Sequence, residues 1–326
     1  MTVRVSKPEQ KNNQKVQKAS YRILNWKEYN RALIQRGSLT FWFEESVVLA
    51  WYNQEKNGKQ GADDYYSDTA IGCGLMVREV FHLGLRQTQG FVSSLITLMG
   101  FSLECPHYTT FCRRQQGLTL PLTRERAAEA LHVVVDSTGL KVYGEGEWKV
   151  RQHGYSKRRT WRKLHIALDQ ATHEVLAVEF TTNACGDSEA FEPLINAIEE
   201  PLAQISGDGA YDTWNAYAVA HARGARLVVP PQDNAILQDP DFILWETPLR
   251  DEYVRDIEQM GKSAWKIQEG YHRRSLAETA MFRLKTLFGD RLDNRNFDHQ
   301  KTEALIRCVA MNKMTQLGMP LSYQTF

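Results

Sequence analysis

The stretch LHVVVD, residues 131–136, restricts this chain more than any other. It is short, aliphatic and β-branched, and it follows a long region of helical spacing. It therefore reads as a buried strand that ends in an acid. The chain downstream supplies a sheet around it. WRKLHIALD and EVLAVEFTT read as alternating strands joined by a turn near Ala171 and Thr172. SEAFEPLINAIE then reads as a helix, AQISGDG as a strand ending at Asp208, TWNAYAVAHARG as a helix and ARLVVPP as a strand. A final helix holds Glu278. Three meandering strands followed by α/β alternation predict an α/β fold, with a mixed central sheet flanked by helices.

A chain of 326 residues suggests two domains, and 42% hydrophobic with 10% aromatic residues can fill a sizeable core. Residues 1–25 open with MTVRVSKPEQKNNQKVQKAS, which has almost nothing to bury and reads as a flexible basic arm or a plain solvated terminus. Residues 26–125 are helical in pattern. Ser38 is placed to cap LTFWFEESVVLAWY, and Asp68 to cap TAIGCGLMVREVFHLGL. A helix then runs to Leu98, Gly100 breaks it, and Pro106 suits the first position of a second helix carrying Arg113 and Arg114. That pattern fits a helix-turn-helix DNA reader, and equally a helical packing unit. Residues 126–326 hold the sheet, with an insertion or lid expected at about 232–270.

Formal net charge is only +1, so any nucleic-acid surface must be local. Five scattered cysteines without a CxxC pair fit a reducing cytoplasm, and Cys105, His107 and Cys112 supply too few soft ligands for zinc. No run of about 18 apolar residues exists, which predicts neither a signal peptide nor a membrane span.

Asp136 and Asp208 are each expected at the end of an apolar strand, where an uncompensated carboxylate is expensive. Two such acids side by side repel unless a cation lies between them, and oxygen-only ligands favour a hard ion such as Mg²⁺. Alternatively each acid is a turn former. YHRRSLAETAMFRLK, residues 271–285, offers a third carboxylate, Glu278. On a helix, Tyr271, Arg274, Glu278 and Lys285 share a strip about 60° wide. The bland alternative is a capping box, Ser275 to Glu278, which would leave Tyr271 and Arg274 outside the helix.

VVVDSTGLKVYG, SGDGAYD and Tyr271-x2-Arg274-x3-Glu278-x6-Lys285 stand in the order found in the DDE transposases of bacterial insertion sequences. The four-letter spacing resembles the group with the Tyr-Arg-Glu-Lys signature. The resemblance covers roughly residues 130–315, and the helical front end is similar too. It implies a ribonuclease H-like core preceded by a mostly helical DNA-binding region. It implies Asp136, Asp208 and Glu278 as catalytic ligands of Mg²⁺ or Mn²⁺, as two ions. It implies DNA phosphate contacts from Tyr271, Arg274 and Lys285. Partners would be double-stranded DNA, as terminal inverted repeats and target, with a homodimer forming on it in a bacterial cytoplasm. An aromatic after the second acid can receive a flipped base in such enzymes; Tyr211 and Trp214 are near, but spacing does not assign either.

Residues 149–165, KVRQHGYSKRRTWRKLH, hold seven Lys or Arg and no acid, including Arg158, Arg159, Arg162 and Lys163. Tyr155 and Trp161 interleave with them, as on a surface that grips a phosphate backbone. A solvated hairpin tip would look the same. Asp187 and Asp212 read as structural acids, and His272 as a surface residue. Two other functions share these features: a DNA-binding protein with a decayed nuclease core, and a structure-selective nuclease without strand transfer.

Overall fold

The computed structural model describes residues 20–54, 64–122, 129–142, 161–237 and 248–325. Of the expected basic arm, residues 1–19 lie outside them. A short strand β1 (Ser20–Ile23) leads into six helices: α1 (Trp26–Gln35), α2 (Leu39–Trp42), α3 (Glu45–Leu49), α4 (Asp68–Val80), α5 (Leu85–Leu98) and α6 (Tyr108–Arg114). The sheet follows with β2 (Leu131–Val142), β3 (Trp161–Asp169) and β4 (Val175–Thr182). Then come α7 (Asp187–Asn196), β5 (Leu202–Ser206), α8 (Trp214–Ala222) and β6 (Arg226–Val228). The chain ends through α9 (Pro248–Met260), α10 (Lys262–Gln268), α11 (Ser275–Phe288), β7 (Arg291–Leu292), α12 (Phe297–Gln316) and β8 (Ser322–Thr325). No helix among the described residues is long and apolar enough to cross a membrane.

The central sheet has the order β4-β3-β2-β5-β6, with β7 paired to the far end of β2. β2, β3 and β4 are antiparallel neighbours, whereas β5 and β6 run parallel to β2. The sheet is therefore mixed, as the element order predicts. Alternation along β2 sends Val133 and Val135 to one face and Asp136 and Leu140 to the other. The first face packs on α7 and α8 through Phe191, Leu194, Ile195 and Ala216. The second packs on α11 and α12 through Met281, Leu284, Ala304 and Met311.

The front helices share this second core. Trp42, Trp51, Ile71, Leu75 and Phe111 belong to the same buried cluster as Leu140, Leu164 and Ile166 of the sheet. α4 is buried along most of its length, because Gly72 and Gly74 let Leu120 and Phe111 press against its backbone. Arg307 of α12 pairs with Glu79 of α4 at 2.8 Å and with Glu303 at 2.5 Å, which locks the two helices together in the interior. β1 and β8 pair antiparallel and join the two ends of the described chain. The described front helices are thus built into the sheet's own core rather than standing apart.

Several local expectations change. Ser67, not Asp68, caps α4, accepting from the Ala70 N–H at 3.1 Å. The single helix expected after Ser38 is broken into α2 and α3. α5 and α6 are joined by residues 99–107, with Gly100 at φ 71°. A helix-turn-helix needs a turn of about three or four residues, so this link is too long for one. The stretch expected as a loop-rich insertion contains α9 and α10, which pack Tyr253 and Trp265 against Val228 at the sheet edge; residues 238–247 lie outside the described residues.

Candidate active site

β2 does not end at Asp136. It continues to Val142 because polar residues 136–139 still pair with β3, Asp136 opposite Ile166 and Gly139 opposite Lys163. What stops is the parallel neighbour: β5 pairs with β2 only as far as Val134 with Ser206. Asp136 stands two residues past that last pair on β2 and Asp208 two residues past it beyond the end of β5, near enough that the charge of Asp208 acts on Asp136. Asp136 accepts the Ser137 N–H at 2.8 Å. Asp208 begins the 3-10 turn Gly209–Tyr211 and accepts the Ala210 N–H at 2.9 Å.

Glu278 projects from the first turn of α11, which covers the Asp136 face of the sheet. The capping box does not form. Ser275 donates its hydroxyl to the His272 carbonyl at 2.9 Å, and Glu278 pairs instead with Arg274. Arg274 also faces Asp136, Nη1 to Oδ2 at 3.8 Å. One guanidinium thus stands between two of the three acids.

Electrostatics tie the trio together. Burial raises the pKa of Asp136, and Asp208 and Glu278 push it the same way, against Ser137 N–H and Arg274. Tyr271 precedes the helix in the 3-10 turn Tyr271–Arg274 and packs on Trp265, centroids 6.0 Å apart. Burial lifts its phenol to about 12, Arg274 pulls it back, and the carboxylates of Asp208, Asp136 and Glu278 add to the rise. Lys285 is two turns beyond Glu278 on the same side of α11, roughly 10 Å along it. The Lys141 hydrogen bond draws the Asp290 carboxyl down, and the charge of Lys285 adds slightly to it.

The donor set suits a hard divalent cation: three carboxylates, oxygen only, with Asp136 poorly compensated. Among the described residues no three acid, His or Cys side chains already stand together as a metal cluster. Glu278 would have to leave Arg274 to join one.

The other predicted DNA contacts divide. Arg114 gives Nη1 to the Tyr66 carbonyl at 2.7 Å and pairs with Asp68 at 2.5 Å and Asp64 at 3.3 Å, so it serves the fold. Arg162 donates to Gln300 at 3.0 Å and lies over the Phe297 ring, and Lys163 donates to the Cys185 carbonyl and to Asp187. Lys163 is thus paired with an acid of this chain, whereas Arg162 is held by a neutral amide and a ring. Arg158 and Arg159 lie outside the described residues. Arg113 is exposed beside a groove of about 690 Å³ shared with Arg86 and Tyr108. Arg86, stacked 4.4 Å from the Tyr108 ring, went unnoticed because a lone arginine at a helix start carries no spacing signal. Asp212 is held by Arg250 at 3.0 Å and Asp187 by Lys163 and Ser137.

A mixed sheet with one aspartate on β2, a second just past the end of the neighbouring β5, and a glutamate on the covering helix defines the class of α/β proteins built around an all-carboxylate site. The sequence narrows that class. It matches the family described as a transposase DDE domain over residues 127–313, and a second family of the same description over residues 34–145. The chain belongs to the DDE transposases. Among solved structures it is similar to a chain of the simian T-cell lymphotropic virus intasome in complex with PP2A regulatory subunit B56 gamma. That match has 17% identity, 63% of this chain, 64% of that chain and a TM-score of 0.25. It is also similar to the Drosophila P element transposase strand transfer complex, with 11% identity, 89% of this chain, 86% of that one and a TM-score of 0.28. The assignment rests on the family match alone.

Proposed function

We propose that this chain is the transposase of an insertion sequence with the Tyr-Arg-Glu-Lys signature, cleaving DNA at the element's terminal repeats and joining the ends to target DNA. The sheet order and its helical cover support a ribonuclease H-like core. The observation that carries the reading is that Asp136 feels the charges of both Asp208 and Glu278, and that Arg274 pairs with Asp136 and with Glu278.

Asp136 holds its carboxylate within β2, Asp208 just past the end of β5, and Glu278 brings the third from α11. These three carboxylates would hold divalent ions, Mg²⁺ or Mn²⁺ and two in number, which would supply the positive charge that an in-line phosphoryl displacement needs. Tyr271, Arg274 and Lys285 grip phosphate oxygens beside the scissile bond, Arg274 by its planar fork and Lys285 as a point charge. Arg274 has two jobs in sequence: counter-ion to the acids before DNA arrives, and phosphate ligand afterwards. A pair of protomers holds two ends together.

The test is Mn²⁺-dependent nicking of a duplex carrying the element's own ends. Asp136→Asn, Asp208→Asn and Glu278→Gln each abolish it while DNA binding persists; retained nicking in any of them overturns the site. Supplying cut 3′-hydroxyl ends with a target plasmid yields joined products. Nicking without joining would instead make the chain a structure-selective nuclease, and no calorimetric metal binding would mark a decayed core.

A further inference from the structure

A second set of basic residues lies away from the carboxylates. Arg283 is five residues beyond Glu278, about 140° around α11 from it. Its Nη2 donates to the Thr315 hydroxyl at 3.0 Å. Arg36, just past α1, donates Nη2 to the Gly318 carbonyl at 3.3 Å, and its guanidinium lies over the Tyr29 ring at 5.8 Å. Both arginines are therefore pinned to the same short stretch at the end of α12. Neither forms an ion pair among the described residues, and Arg36 Nε is buried with no hydrogen-bond partner among them. Burial and the charge of Arg36 hold Arg283 down at about 10. His173, at φ 64° in the turn between β3 and β4, lies close enough to feel both Arg283 and Arg273. The acid at this margin, Asp169, already accepts from the Ala171 N–H and the Thr172 hydroxyl.

Two partly desolvated like charges oppose folding unless something anionic compensates them. The partner that suits two neighbouring guanidiniums with no acid beside them is a tetrahedral oxyanion, which accepts from the N–H groups their bonds to Gly318 and Thr315 leave over. We infer that Arg36 and Arg283, with Arg273 and His173 at the margin, bind a phosphate group, and that this is a backbone phosphodiester of DNA held apart from the carboxylates. Only the DNA source of that phosphate rests on the transposase reading; the site itself rests on the arginine geometry.

The experiment has two arms, run on the full chain with Arg36→Gln and Arg283→Gln made separately. In the first, melting is compared in inorganic phosphate and in chloride at equal ionic strength. Phosphate raises the melting temperature of the wild type above chloride, and each variant loses that difference. No difference in the wild type, or its persistence in both variants, overturns the site. In the second arm, duplex DNA affinity is measured against salt. Each variant weakens binding about tenfold and reduces the salt slope by about 1, the share of one phosphate contact. Unchanged DNA binding alongside a lost phosphate response overturns the DNA assignment and makes the ligand free phosphate. A wild type that binds no DNA at any salt overturns the transposase reading and the DNA source together, while the first arm still decides the site.

Discussion

Replacing Arg274 with glutamine removes the positive charge that faces both Asp136 and Glu278. At 3.8 Å from Asp136, a unit charge pair is worth about 4 kcal/mol at an effective dielectric of ~20 and about 1 kcal/mol in bulk water. The two side chains keep 23% and 18% of their exposure, so the interaction lies between those limits, at about 2 kcal/mol. The pair with Glu278, whose side chain is 54% exposed, adds only a few tenths. A divalent ion entering among the acids must overcome that guanidinium. In Arg274→Gln the ion meets no such competitor, and about 2 kcal/mol corresponds to roughly a 30-fold gain in affinity. Isothermal titration of Mn²⁺ into DNA-free protein reads this directly. Strand cleavage moves the opposite way, because the variant lacks the fork that grips the phosphate. Equal or weaker Mn²⁺ binding by a correctly folded Arg274→Gln protein would show that Arg274 does not stand in for the metal, and the two-job account of this residue would fail.

Arg307→Met removes the cation shared by Glu79 and Glu303, whose side chains are 5% and 0% exposed, and leaves Glu79 only Arg78 and Glu303 only the N–H donors of Asp293 and Asn294. Urea unfolding should show a loss of about 3–5 kcal/mol; a loss below about 1 kcal/mol contradicts the lock between α4 and α12. Gly74→Ala drives a methyl into the Phe111 ring and should cost about 1–3 kcal/mol by the same assay, with Gly74→Ala in a Phe111→Leu background costing less. Asp136 has its folded pKa raised, chiefly by burial. The stability it confers in metal-free protein is therefore fully present below the ordinary carboxylate value and is lost as pH rises through the raised value. Asp136→Asn should flatten that part of the stability profile between about pH 3 and 7 in EDTA, and an unaltered profile would contradict the burial argument.

The sheet was legible because its strands are written in aliphatic and β-branched residues that fix both period and facing. Val133, Val135 and Asp136 declare by alternation alone which side of β2 each occupies. The same logic misplaced the end of that strand. Apolar residues give out at Asp136 because the parallel neighbour and its cover end there, while antiparallel pairing to β3 needs no apolar side chains and carries on to Val142. The front helices misled for a related reason: Trp42, Trp51 and Phe111 announce burial, but nothing in their spacing says that the sheet supplies the other half of the core. Charge was the least legible property. Arg113 and Arg114 are neighbours of identical chemistry, yet one is exposed beside a groove and the other is tied to Asp64, Asp68 and Tyr66. Arg162 and Lys163 sit in the most basic stretch of the chain and both point their charge at partners within it. A run of cations therefore predicts a nucleic-acid surface only after internal acids and carbonyls have claimed their share. By that criterion Arg36 and Arg283, which have no acid partner among the described residues, are candidates for DNA alongside the exposed Arg113, although no sequence motif singles them out.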